Sequence, residues 1–222
     1  MYHFSYFKEN DQKAIVAFLD QYPFALITGS FNSGKQVATQ VPFLFEERDG
    51  TLFLQAHIMR NTDHHKAFQE NKNALVVFSG PNAYVSAAWY TNSQSGSTWN
   101  YMSVHAIGEI SFMTNDELIL FMKKFTLKFE SGNKNSPTIY DNLPAAYVDK
   151  MMPAIVGFEI KVEKLDNVFK LSQNRDKASY LNIISKLNEI GGASSLVATE
   201  MQNRLESLFP DNTPWDPSKF NS

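Results

Sequence analysis

The 222-residue sequence contains no cysteine, which excludes disulfides, thiolate metal sites and a cysteine nucleophile. It lacks any unbroken apolar run long enough to span a bilayer. Its start, MYHFSYFKENDQK, has no basic region followed by an apolar stretch. These absences disfavour export and membrane insertion and point to the cytoplasm. Charge of one sign is lacking too. The 20 basic and 23 acidic residues leave a net charge of −3, so no broad field draws the chain to nucleic acid. What it has in quantity is aromatic: eighteen Phe, nine Tyr and three Trp. Such residues favour strands and line flat pockets that hold planar ligands. With 43% hydrophobic residues, the chain can bury one substantial core, with or without a small appendage.

Periodicity organises the chain. Ile15, Phe18, Leu19 and Tyr22 predict a short amphipathic helix over Asn10 to Tyr22, capped by Asn10 or Asp11 and ended by Pro23. Strands are predicted over Phe24 to Ser30, Val37 to Phe45 and Thr51 to Gln55, with a turn at Arg48-Asp49-Gly50. A loop then carries His57 and Arg60 into a helix near Asp63 to Gln69. The apolar run Ala74 to Phe78 reads as a buried strand ended by Gly80-Pro81. Further strands are predicted over Tyr84 to Tyr90 and Thr98 to Phe112, joined by a loop over Thr91 to Ser97. Asn115 caps a helix whose Leu118, Phe121, Met122, Phe125 and Phe129 form one face. A last strand, Ile155 to Leu165, turns at Asp166-Asn167, and helices over Asp176 to Ile190 and Ser195 to Phe209 are broken at Gly191-Gly192. The pattern is an α+β domain, mainly β and antiparallel. Closing the sheet into a small barrel would remove its edges, but periodicity alone leaves barrel and sandwich open.

Four segments are denser in polar and aromatic groups than a plain core needs: QAHIMRN (Gln55 to Asn61), GPNAYVSAAWY (Gly80 to Tyr90), TWNY (Thr98 to Tyr101) and KLSQNR (Lys170 to Arg175). His57 and Arg60, three apart in a turn before a helix, can converge on one anion such as a phosphate. Equally, Arg60 can pair with a surface carboxylate while His57 packs. KLSQNR offers cations, amides and a hydroxyl to a phosphate or a heterocycle edge, or simply caps a helix at Asp176. Trp99 or Tyr101 can stack on a planar ring or pack in the core. A metal site on His57, His64 and His65 is the weakest reading, because adjacent helical histidines diverge.

In this order, together with PFALITGS (Pro23 to Ser30), QVPFLF (Gln40 to Phe45) and AIVGFEI (Ala154 to Ile160), the segments resemble the PaiB-type FMN-binding negative transcriptional regulators. That family is related to the pyridoxamine-phosphate-oxidase-like flavoproteins. The resemblance implies a Greek-key split β-barrel with inserted helices and a C-terminal helical pair. With the periodicity, this gives an expected FMN-binding barrel domain over 1–172, C-terminal helices over 173–209 packed on it, and a Pro/Asn/Asp-rich tail over 210–222. It implies a homodimer with FMN in an interface groove. Gln40, Val41 and Pro42 would lie along the isoalloxazine; His57, Arg60, Asn61 and Thr62 would hold the phosphate; Trp99, Asn100, Tyr101, Lys170, Ser172, Gln173 and Asn174 would complete the groove. Three departures from the family pattern stand out: Asn61-Thr62-Asp63 for Ala-Asn-Pro, Ala87 for Pro after Ser86, and Ser97 for Pro.

Two functions follow. One is a flavin-dependent oxidoreductase, whose catalytic residues the sequence leaves unknown. The other is a regulator, either flavin-responsive or acting through partners or DNA without flavin turnover. Specific DNA binding by this chain is not expected, because the second C-terminal helix offers only Arg204 beside Glu200 and Glu206.

Overall fold

The computed structural model describes residues 2, 4–92, 94–210 and 215–220. In chain order they form α1 (Gln12–Gln21), β1 (Phe24–Ser30), β2 (Gln36–Pro42), β3 (Leu44–Arg48), β4 (Thr51–Met59), α2 (Asp63–Glu70), β5 (Asn73–Val85), β6 (Thr98–Phe112), α3 (Asn115–Phe129), α4 (Ala145–Met151), β7 (Ile155–Lys170), α5 (Lys177–Ile190), α6 (Ala193–Asn203) and α7 (Leu205–Leu208). The strands make one sheet in the order β2-β1-β5-β6-β7-β4-β3. Contacts divide the chain into two compact units. One comprises Met1–Leu19, Ser79–Val104 and Asp166–Ser222; the other comprises Asp20–Phe78 and His105–Leu165.

The second unit holds β1 to β4 whole and part of each remaining strand. Its hairpins form where turn chemistry demands. Asp49 and Gly50 both take positive φ, 50° and 72°, as a two-residue turn between antiparallel strands requires, and Arg48 pairs with Thr51 across it. The strand expected over Val37 to Phe45 is instead two, β2 and β3, which end up at opposite ends of the sheet order. The break falls at Phe43, whose ring is fully buried against Phe78 and Phe158 and whose N–H donates to the Pro23 carbonyl at 2.9 Å. Burying the ring on the inner side turns the chain from one edge strand to the other.

β4 is longer than its expected end at Gln55. Leu54, Ala56 and Ile58 alternate inward, so the strand runs on through His57, which pairs with Gly157 of β7. Gly108 shows why β6 and β7 can lie so close: a Cβ there would sit 2.0 Å from the Lys161 carbonyl oxygen. α3 is started by a capping box in which Thr114 and Glu117 satisfy each other's backbone N–H groups. It packs Leu118, Phe121 and Met122 with Leu44 and Ile155.

The first unit is built around the far ends of β5, β6 and β7, α1 and the C-terminal helices. Gly80-Pro81 does not end β5. The inward alternation passes from Ala74, Val76 and Phe78 to Pro81, Ala83 and Val85, a change of phase at Ser79-Gly80. Gly80 is needed there because a Cβ would come within 2.6 Å of the Phe18 ring. The strand expected over Tyr84 to Tyr90 stops at Val85, and Ala87–Trp89 is a 3-10 turn. Asp166-Asn167 is no turn either. The Asn167 amide accepts from Glu9 N–H (2.8 Å) and donates to the Glu9 carbonyl (2.9 Å), pinning the unbroken β7 to the N-terminal segment. The helix break at Gly191-Gly192 is present, with both φ values positive. Tyr180 is fully buried and donates from its phenol to the Met201 carbonyl at 3.0 Å, tying α5 to α6. The helix expected over Ser195 to Phe209 divides into α6 and α7 at Arg204. Of the expected 210–222 tail, residues 211–214 and 221–222 lie outside the described residues.

Candidate functional site

In the second unit, Gln40 is exposed on β2, Val41 is buried beside it and Pro42 is half-buried. β2 pairs on one side only, with β1, so its other backbone edge is open to a ligand. His57 has different surroundings from those of a phosphate ligand. Its ring is edge-on to Phe125 at 5.3 Å and near Phe121 at 6.0 Å, its Nδ1 is buried without a hydrogen bond, and burial pulls its pKa below the usual histidine value.

Arg60 is fixed by backbone carbonyls. Nε donates to Pro153 O at 3.1 Å and Nη2 to Ile155 O at 2.9 Å. The guanidinium lines a cleft of about 510 Å³ with Leu118, Ile119, Tyr140, Met152 and Pro153. Asn61 takes a left-handed φ of 66° and its N–H donates to His65 Nδ1 at 3.0 Å. That bond requires His65 to be neutral at Nδ1. Burial, then the charges of Arg60, His64 and Lys66, lower its pKa. Thr62 is the N-cap of α2 and accepts from His65 N–H, so Asn61-Thr62-Asp63 retains helix-starting chemistry. The next amide, His64 N–H, is taken by Asp63 Oδ1 at 2.8 Å. Among the described residues no group of three or more His, Asp or Glu is arranged to hold a metal ion.

In the first unit, TWNY and KLSQNR meet. Asn100 is fully buried; its Oδ1 accepts from Ser172 Oγ at 3.0 Å and its Nδ2 donates to Met201 Sδ at 3.4 Å. Ser172 has φ of 61°. Gln173 folds back, accepting from Leu171 N–H at 2.7 Å and donating to the Phe169 carbonyl. Asn100, Ser172 and Gln173 are therefore spent on the turn itself and position it. Lys170 is different. Its ammonium donates to Thr98 Oγ1 and lies 5.3 Å above the Tyr2 ring, and burial followed by the Arg175 charge lowers its pKa. One residue beyond Thr98, Trp99 is 54% exposed and edge-on to an exposed Tyr84 at 6.2 Å. A core would have covered both rings. Tyr101 is half-buried, and burial then Tyr2 raise its pKa. Asn174 and Arg175 line a separate cleft with Tyr90.

Arg175 belongs to the KLSQNR cluster expected to meet a phosphate or heterocycle edge, whereas Tyr84 and Tyr90 were not among the expected cofactor-binding residues, although both lie inside GPNAYVSAAWY. The other two departures from the family pattern answer one another: Ala87 N–H, which a proline would lack, donates to Ser97 Oγ at 3.0 Å. Arg204 is neutralised by Glu200 at 2.7 Å and faces Glu9 at 3.6 Å. Among the described residues no helix is long and apolar enough to cross a membrane.

Comparison with known proteins agrees with this organisation. The family model described as "Putative FMN-binding domain" matches residues 1–164. The "Protease synthase and sporulation protein PAI 2" of Bacillus subtilis is 32% identical over 207 residues, covering 93% of this chain and 99% of the relative. Among solved structures, the flavocytochrome Anf3 from Azotobacter vinelandii aligns with a TM-score of 0.56 at 18% identity, covering 76% of this chain and 72% of that one. The FAD and heme binding protein from Mycobacterium smegmatis aligns with a TM-score of 0.55 at 18% identity, covering 73% of this chain and 72% of that one. At these identities the structural likeness is one of fold, a curled antiparallel split barrel with helices. A flavin is the cofactor class that family and fold support, and the chain belongs to the PaiB-type FMN-binding family of split-barrel flavoproteins.

Proposed function

We propose that this protein binds FMN as a homodimer with two equivalent sites and uses the flavin for oxidoreductase chemistry. The observation that supports the reading best is at the head of β6: a Trp99 ring left 54% exposed, edge-on to an exposed Tyr84 ring at 6.2 Å. An exposed flat aromatic surface fits a planar, electron-poor ring system. Bound FMN would supply hydride or electron transfer.

The residues fit the flavin unevenly. Trp99 would offer a ring face and Lys170 a cation, while Asn100, Ser172 and Gln173 hold the turn that presents Lys170. Exposed Gln40 and the open edge of β2 would offer polar groups to the isoalloxazine rim. For the phosphate, Arg60 keeps three of its five N–H donors after the two it gives to carbonyls. The Thr62 hydroxyl does not fit a phosphate as placed, since its one O–H donates to the Met59 carbonyl at 2.9 Å. His57 does not fit a phosphate, since its imidazole is neutral and packed on phenylalanines. Asp63 puts a carboxylate at the start of α2 and weakens the hold on a dianion.

The test is a flavin-fluorescence titration with FMN and riboflavin on the wild type and Arg60→Ala. Arg60→Ala should weaken FMN by about 10-fold or more and leave riboflavin unchanged, as loss of a charge-assisted phosphate contact requires. Equal loss for both flavins would remove the phosphate role of Arg60, and no saturable quenching by either flavin would sink the reading. Sedimentation of the FMN-loaded protein as a monomer would remove the dimer.

A further inference from the structure

Arg175 ends the KLSQNR turn with its guanidinium carbon 4.1 Å above the centre of the Tyr90 ring. Nη1 donates to Ser95 Oγ at 3.2 Å, and among the described residues no carboxylate forms an ion pair with Arg175. The Tyr90 phenol is buried without a well-formed hydrogen bond, and the nearby Arg175 guanidinium acts on it electrostatically, opposing the upward push of burial on its pKa. Tyr90 is 8% exposed. A buried donor left unpaired beside a cation lacking a counter-ion is costly, and both are satisfied together by an anion.

The space for one is present. Tyr90, Arg175, Thr91 and Ser95 line a cleft of about 360 Å³, with Trp215 as a further wall and Asn174, a residue the family resemblance assigns to the flavin groove, on its rim. The carboxylate on the wall, Asp176, is committed elsewhere. Its Oδ1 accepts from Ser179 N–H at 2.9 Å at the start of α5, and its Oδ2 accepts from Ser179 Oγ at 2.7 Å and Thr91 Oγ1 at 2.9 Å. The Arg175 charge is felt as far as Lys170, whose pKa it helps to lower. Asp176 stays ionised, but its oxygens are taken by neutral donors and it forms no ion pair with Arg175.

We propose that this cleft is a second binding site, separate from the flavin, for a small molecule with a carboxylate on a flat apolar body. The guanidinium fork matches a carboxylate in two parallel hydrogen bonds. The Trp215 indole supplies a face for the flat body. A volume of about 360 Å³ suits a single ring with substituents.

Isothermal titration calorimetry of the full chain with benzoate, benzamide and inorganic phosphate tests this. Benzoate should bind saturably, benzamide at least about 10-fold more weakly because it has the same body without the charge, and phosphate more weakly than benzoate. Arg175→Gln should lower benzoate affinity at least about 10-fold. Benzamide binding as tightly as benzoate, or no benzoate binding to the wild type, overturns the proposal, and this comparison stands even if Arg175→Gln does not fold. Phosphate binding more tightly than benzoate overturns the flat-body half. Saturating FMN should leave benzoate binding unchanged. Competition between the two would assign the cleft to the flavin and overturn the second site, whereas failure of FMN to bind leaves the benzoate arm intact.

Discussion

Replacing His57 by leucine should flatten the loss of stability in mild acid and leave stability near neutral pH almost unchanged. The imidazole is wedged against Phe121 and Phe125, with Nδ1 buried and unbonded, so protonating it puts a charge among phenylalanines. Burial lowers its folded-state pKa, whereas the unfolded chain keeps a value near 6.5. A proton therefore binds the unfolded chain first as pH falls. The stability linked to His57 is fully present above about pH 6.5 and is lost as pH drops toward the folded-state value, at up to about 1.4 kcal/mol per pH unit. The carboxylates with lowered values, among them Glu117, Glu130 and Asp176, release their contribution only below about pH 4.5, so they do not blur this window. Leucine keeps an apolar side chain of similar size and removes an acceptor that bonds to nothing. Urea unfolding followed by circular dichroism at about pH 7.5, 6.5 and 5.5 reads the slope. His65, also shifted downward, will retain part of it in the variant. A His57→Leu protein that loses stability as steeply as the wild type between pH 7.5 and 5.5 would refute the reasoning.

Gly108→Ala should destabilise by about 3 kcal/mol in a thermal or urea melt, because its Cβ would meet the rigid Lys161 carbonyl at 2.0 Å. A variant within about 0.5 kcal/mol of the wild type would mean that β6 and β7 are not so close. Ser97→Ala should cost about 0.5 kcal/mol by exchanging the Ala87 N–H···Oγ bond for one to water. Ala87→Pro, placed after an extended Ser86 (φ −74°, ψ 136°), should be tolerated and should make Ser97→Ala nearly neutral in a double-mutant cycle. Additive effects of the two substitutions would show that the contact carries no energy.

The elements that sequence made legible were those specified by local chemistry: the Asp49-Gly50 hairpin, the helix break at Gly191-Gly192 and the amphipathic faces of α1 and α3. The errors came where a distant partner overrides a local signal. Asp166-Asn167 reads as a turn until the Glu9 backbone satisfies the Asn167 amide, and Gly80-Pro81 reads as a break until the Phe18 ring needs the space. The same physics divides the candidate site. The sequence singled out segments dense in polar and aromatic groups, but whether a polar residue in them faces outward or its own backbone depends on packing. Asn100, Ser172 and Gln173 are consumed internally, while Trp99 and Lys170 remain available. His57 sits on a strand rather than a loop because Leu54, Ala56 and Ile58 continue the inward alternation past Gln55. Arg175 and Tyr90 gain their significance from a stacking contact across 85 residues of chain that no spacing rule could show.

The most direct test of flavin binding is the visible absorbance spectrum of the purified protein after incubation with FMN and removal of free flavin. The account predicts a retained flavin spectrum at about one FMN per chain, two per dimer, with binding weakened in Trp99→Ala. A colourless protein that also fails to quench FMN fluorescence would contradict it.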